Sequence, residues 1–276
     1  MIVSAKRFAQ PAAVVLLALA VGLAAAGCGS SGSGSGASPS SVKLTVFAAA
    51  SLNKVFPQIA AQFQKTHPGV TFSFNFAGTD TLTTQIEQGA PADVFAGAST
   101  KYATELAGKG LIDAPRTFAT NRLVVIVPAS DPAHIHSLRD LTKRGIKLVI
   151  GDATVPIGSY TRKVLGNLEA AYGPGYSGKV LNNVASEALD VTSILTAVST
   201  GNADAGFVYV TDARSAGGKV TTIGLPAAAQ AVASYPVAAV KASKNAAVAA
   251  QFTAFVLGPQ AQALLAGAGF GPPPGS

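Results

Sequence analysis

Ser51, Thr79 and Tyr209 carry hydroxyls at points where an apolar run ends and the hydrophobic spacing changes, and hydroxyls placed there can hold an anion. Ala48-Ala49-Ala50-Ser51-Leu52 follows the run 44–47, and Ala77-Gly78-Thr79-Asp80-Thr81-Leu82 follows the run 70–76. Each run reads as a strand entering a helix, so first-turn amides without an intrahelical acceptor point outward beside a hydroxyl. Gly151-Asp152-Ala153-Thr154-Val155-Pro156-Ile157-Gly158 repeats the arrangement, with Pro and Gly setting the backbone and exposing the amides of Ile157 and Gly158. Asp190 is placed as an N-cap, which leaves the amide of Val191 among the first unpaired donors. A strand over 205–210 then presents the Tyr209 phenol, a neutral donor that stays protonated well above pH 7.

None of these donors carries a charge. Hydroxyls and helix-start dipoles together supply the partial positive charge that a dianion needs without Arg or Lys. A donor-only cage also selects. Monohydrogen phosphate brings a proton that needs an acceptor, and an unpaired hydroxyl in a dry cleft costs on the order of 1–3 kcal/mol, so fully deprotonated tetrahedral anions are favoured. Taken singly, Ser51 and Thr79 also read as plain N-caps, and Tyr209 as a core tyrosine with its hydroxyl at the surface; only the set points to a site. Asp80 is the discordant neighbour, because a carboxylate beside an anion repels it. The expectation is that Asp80 turns outward and caps the next helix.

The elements that must position these groups alternate. Strands are expected over 43–48, 70–76 and 93–96, with helices over 52–63 and 82–88 stopped by His67-Pro68-Gly69 and by Gly89. Pro57 lacks an amide, so the first helix starts late or bends there. Consecutive βαβ units imply a parallel sheet with helices on its faces. A strand over 123–127, ended by Pro128, opens a second series: strand 147–150, helix 158–172, strand 179–184, helix 191–199 and the strand ending near Tyr209. The fold class is α/β with two lobes, each a mainly parallel sheet flanked by helices, joined by crossovers near Thr120 and Val240. Lobe 1 comprises 42–120 and 241–276, with 252–265 packing back on it, and lobe 2 comprises 121–240. Donors from both lobes then converge at the strand ends, where ligands of open α/β sheets bind.

At the N-terminus, Lys6 and Arg7 precede an uncharged apolar run over 12–26, which reads as an export signal over 1–27 and is short for a membrane span. It ends at Ala25-Ala26-Gly27-Cys28, similar to a bacterial lipobox with Ala25 where Leu or Val is usual. Cys28 is the only cysteine, so no intramolecular disulfide can form. Lipid attachment at Cys28 accounts for it; cleavage elsewhere, with Cys28 discarded, is the alternative. Residues 28–41 are, after Cys28, all Gly, Ser, Ala or Pro and read as a flexible tether. The formal charge of +7 falls to +5 once Lys6 and Arg7 are removed, and the basic residues are scattered without interleaved aromatic platforms, which argues against nucleic-acid binding.

The residues 46–52 (VFAAASL), 85–95 (QIEQGAPADVF), 155–158 (VPIG) and 203–213 (ADAGFVYVTDA) carry a family likeness. Over 44–272 the chain resembles the molybdate-binding proteins of bacterial ABC importers. The resemblance implies the type II periplasmic-binding-protein fold, two lobes closing over molybdate or tungstate, delivery to an ABC permease, no cofactor and a monomer. It implies hydroxyl and amide donors at Ser51 and Thr79, backbone amides at Ile157 and Val191, and the phenol of Tyr209. The family usually has Ser at the position of Thr79, a smaller Ala at Ile157, and a small neutral residue at Asp80. With the signal and Cys28, it implies a lipid-anchored receptor on the outer face of the cytoplasmic membrane.

Three rivals are weighed. A secreted hydrolase needs a nucleophile with a placed base, yet the only histidines are His67, His134 and His136, and neither a Gly-x-Ser-x-Gly elbow nor a His-Glu-x-x-His helix occurs. His134 and His136 could share one strand face as metal ligands, but with no third ligand expected beside them they read as part of a solvated loop. An effector module of a transcription regulator would carry a DNA-binding helix-turn-helix, whereas an export signal and tether stand at this N-terminus. A receptor for sulfate, phosphate or another oxyanion keeps the same chemistry and differs in cavity radius.

Overall fold

The computed structural model describes residues 41–275. The expected signal over 1–27, Cys28 and the tether up to residue 40 lie outside the described residues. Leu44, Val46 and Ala48 alternate inward along the first strand, β1 (Val42–Ala49), and are fully buried. A 3-10 turn at Ala50–Leu52 follows, and α1 (Phe56–Gln64) begins late, with Pro57 in its first turn where the missing amide costs nothing. Next come β2 (Val70–Ala77), α2 (Thr79–Glu87), β3 (Val94–Ala96), α3 (Thr100–Gly108) and β4 (Arg116–Asn121). The second series runs β5 (Leu123–Pro128), β6 (Leu148–Gly151), α4 (Pro156–Tyr172), α5 (Tyr176–Leu181), β7 (Val184–Ala188), α6 (Val191–Ser199), β8 (Ala205–Tyr209), α7 (Val210–Ser215) and β9 (Val220–Ile223). The chain finishes with β10 (Ala233–Ala239), α8 (Ala246–Val256) and α9 (Pro259–Ala268).

Two five-stranded sheets result, ordered β2-β1-β3-β10-β4 and β7-β6-β8-β5-β9. Helical crossovers make β1 parallel to β2 and β3, and β6 parallel to β7 and β8. Strands that arrive from the other sheet run the opposite way: β10 is antiparallel to β3 and β4, and β5 to β8 and β9. The sheets are therefore mixed rather than mainly parallel.

Two boundaries differ from expectation. Residues 179–181 are helical, not extended, because Tyr176 and Val180 lie one turn apart on a buried face and the Tyr176 hydroxyl donates to Leu138 O at 2.6 Å. The strand starts only at Val184. The return crossing also comes earlier than Val240. Tyr235, Val237 and Ala239 form a buried run that needs sheet partners, and β10 finds them in the first sheet, with a bulge between Tyr235 and Pro236 where proline cannot donate. The chain thus crosses at Asn121–Leu123 and returns between Ile223 and Ala233. Gln230 ties these connections together: its side chain accepts from Leu123 N at 3.2 Å and donates to Leu123 O at 2.9 Å. In the C-terminal helices Phe252 packs against Phe56, Phe63 and Phe72 at ring distances of 6.4, 5.4 and 4.8 Å, joining α8 to the first sheet. Each fully buried ring of this kind contributes about 1.5–3 kcal/mol.

Candidate oxyanion site

The strand ends of both sheets open onto one small cavity of about 20 Å3, lined by Ser51, Gly78, Thr79, Ile157, Val191 and Tyr209 among others. All five residues singled out from the sequence thus lie on a single wall-to-wall space. That volume is far below the roughly 300–1,000 Å3 of organic-ligand pockets, so the space leaves room only for a small guest. Among the described residues, neither Lys nor Arg lines it.

From the first sheet come two hydroxyls, and neither serves as a helix cap. Gly78 is the N-cap of α2 and Thr79 its first helical residue, while Ala49 precedes the 3-10 turn that holds Ser51. Behind each hydroxyl stands a partner: Ala98 N donates to Thr79 Oγ1 at 3.1 Å, and Ser51 Oγ lies 2.9 Å from Tyr235 Oη. The second sheet contributes helix starts. Ile157 follows Pro156 at the beginning of α4, and Val191 opens α6 after Asp190, whose carboxylate accepts from Ser193 N and Ser193 Oγ, each at 2.9 Å. Asp190 lines the cavity, but both its carboxylate oxygens are engaged by its own helix, and the first-turn amides beside it remain unpaired within the helix.

Close backbone approach aims the α4 amides. A Cβ on Gly158 would sit 1.7 Å from Asp152 O, and one on Gly151 would sit 2.5 Å from Gly158 N, so strand end and helix start touch only because both are glycine. Gly78 does the same between the sheets, where a Cβ would lie 2.4 Å from Leu189 O. Hydrogen bonds from Tyr102 Oη to Thr154 O and from Asn53 Nδ2 to Thr192 Oγ1, the latter at 3.4 Å, also span the two sides.

Tyr209 is 2% exposed and its buried hydroxyl has no hydrogen-bond partner in the protein. Burial, then the neighbouring Tyr235, pushes its pKa well above the ordinary phenol value, so it stays a donor. An orphaned donor aimed into a cavity calls for an acceptor there. Asp212 Oδ2 receives Tyr209 N at 3.2 Å, and burial raises that carboxyl to about 7.

Asp80 departs from expectation. It neither faces solvent fully nor caps the helix that follows the strand: α2 already starts at Thr79 with Gly78 as its N-cap, and Asp80 is half-buried in its first turn with Oδ1 unpartnered and Oδ2 receiving Thr81 Oγ1 at 3.4 Å. It does not line the cavity. Tyr235 and the amide of Ala98 escaped the sequence reading. The polar tip of Tyr235 within an apolar strand was a usable signal, whereas nothing in residue type marks Ala98. The histidines stand elsewhere: His67 stacks on Phe63 at 3.9 Å, and His136 pairs with Asp131 at 3.3 Å. No group of three His, Cys, Asp or Glu able to hold a metal occurs among the described residues.

Comparison with known proteins gives a consistent result. A family model described as bacterial extracellular solute-binding protein matches residues 44–271. The molybdate-binding protein ModA of Mycobacterium tuberculosis (strain H37Rv) is 43% identical over 231 residues, covering 83% of this chain and 85% of that one. ModA of Escherichia coli (strain K12) is 35% identical over 83% of this chain and 88% of its own length. Among solved structures, the periplasmic molybdate-binding protein of Azotobacter vinelandii superposes with a TM-score of 0.73 at 25% identity, over 83% of this chain and 99% of that one.

Proposed function

This chain belongs to the bacterial extracellular solute-binding proteins, and we propose that it serves within that family as the molybdate receptor of an ABC importer. The observation that carries the reading is the uncharged donor set: hydroxyls of Ser51, Thr79 and Tyr209 with helix-start amides at Ile157 and Val191, gathered from two sheets around one small space. A dianion is held there by oriented peptide dipoles and O–H donors, in a site without a countercharge. Tungstate, equal in charge and shape, fits the same donors. Because the ligand touches both sides, it binds the closed arrangement better than the open one and shifts the population toward closure. The receptor acts as a monomer without cofactor and without catalysing a reaction. A lipid on Cys28 tethers it to the outer face of the cytoplasmic membrane, from which it hands the ion to the permease.

Calorimetric titration tests this directly. Molybdate and tungstate are expected to saturate one site per chain, with sulfate and phosphate binding far more weakly. Absence of molybdate binding, or tighter binding of sulfate, would refute the assignment.

A further inference from the structure

Each hydroxyl on the first-sheet wall has a hydrogen-bonding partner behind it, and the two partners differ in kind. For Thr79 it is a backbone amide, which can only donate, so the Ala98 N–H occupies Thr79 Oγ1 and leaves the threonine proton for the cavity. For Ser51 it is the Tyr235 phenol, which can donate or accept. If Ser51 donated to Tyr235, the serine would show the cavity a lone pair and would welcome a ligand that carries a proton. If Tyr235 donates, the serine shows a proton.

Burial biases that choice. Tyr235 is fully buried with its hydroxyl against Ser51 Oγ, so no water competes for its proton. If Ser51 were the donor, the phenol proton would be left in the core without an acceptor among the described residues, which burial makes costly. If Tyr235 donates, its proton is used and the serine proton is free to turn inward. The direction of donation then runs from Tyr235 to Ser51 and into the cavity. The unpartnered Tyr209 hydroxyl on the opposite wall makes the third inward-pointing proton.

We propose that Tyr235 is a positioning residue that sets the proton direction of Ser51 and thereby makes the site reject protonated oxyanions. This deepens the molybdate reading and rests on it. Tyr235 does not line the cavity; it acts through Ser51.

The test is Tyr235→Phe in the full chain, with molybdate affinity measured by calorimetry and with selenate and arsenate as competitors at pH 8. Those two tetrahedral anions are alike in size, but arsenate keeps one proton at that pH, so their ratio reports on the proton and not on the radius. The wild type is expected to favour selenate. In Tyr235→Phe, molybdate affinity falls about tenfold, and arsenate gains on selenate by a similar factor. In a Ser51→Ala background the same substitution leaves the ratio unchanged, because the group it orients is gone. An unchanged molybdate affinity overturns the inference. So does a lowered affinity with no gain of arsenate over selenate, which marks Tyr235 as packing only; melting temperatures show that the variant folds. If the wild type fails to bind molybdate, the receptor assignment fails first and takes this inference with it.

Discussion

The two walls of the cavity solve the same electrostatic problem with different parts of the chain. The first sheet offers side-chain hydroxyls, Ser51 and Thr79, each backed by a hydrogen-bonding partner. The second offers mainly backbone, the starts of α4 and α6 at Ile157 and Val191, with Tyr209 as its one side-chain donor. A side-chain donor can be deleted without moving the chain. A backbone donor is lost only when the chain itself moves, so the walls should respond in opposite ways to substitution.

The largest effect is expected where the backbone wall is displaced. Gly158→Ala forces a methyl group to within 1.7 Å of Asp152 O unless α4 shifts, which should lower the melting temperature and cut molybdate affinity by more than about 100-fold. Binding at wild-type strength in a calorimeter would show that the α4 amides are not used. Next come the side-chain donors. Ser51→Ala and Tyr209→Phe should each weaken molybdate binding by about 1–3 kcal/mol, roughly 5- to 150-fold. Equal affinity in both variants would remove the hydroxyls from the site.

A smaller change sharpens the contrast. Ile157→Ala trims a side chain that is 2% exposed and should cost about 2–5 kcal/mol of stability while holding molybdate affinity within roughly threefold, since the amide remains. A loss of affinity comparable to that of Ser51→Ala would mean that the side chain, and not the amide, matters there. The least effect concerns pH. The buried Asp212 carboxyl is raised to about 7 from an ordinary value of 3.8, so the folded chain holds a proton that the unfolded chain releases between those limits. Its contribution to stability is full below about pH 4 and is lost as pH rises through 7. Asp212→Asn should flatten that part of the melting temperature profile between about pH 4 and 7; an unaltered slope would assign it to other groups.

The same division explains what the sequence made legible. Ser51, Thr79 and Tyr209 announce themselves by residue type at strand ends. Ile157 and Val191 could be placed only through helix-start signals, the Pro156–Gly158 pair and the Asp190 cap. The alternation of strands and helices followed from hydrophobic period over most of the chain. It failed at 179–184, where Tyr176 and Val180 impose a helical face just before an exposed edge strand. β10 was misassigned because sheet membership is a long-range property: an apolar run over 233–239 fits either sheet until its partners are known. Tyr235 was missed with it, since its importance comes from a contact with Ser51 across 184 residues of sequence. Asp80 shows a local rule being overridden, for a carboxylate next to an anion site was expected to escape and is instead held half-buried in its own first turn.

Gln230 clasps Leu123 at both its amide and its carbonyl, so the outgoing and incoming strands between the sheets are bound into a single axle. An axle permits swing but resists sliding. If the proposed site holds its ion, parting of the halves withdraws the hydroxyls of one side and the amides of the other together, and surrender of the ion is expected to be abrupt rather than a gradual peeling.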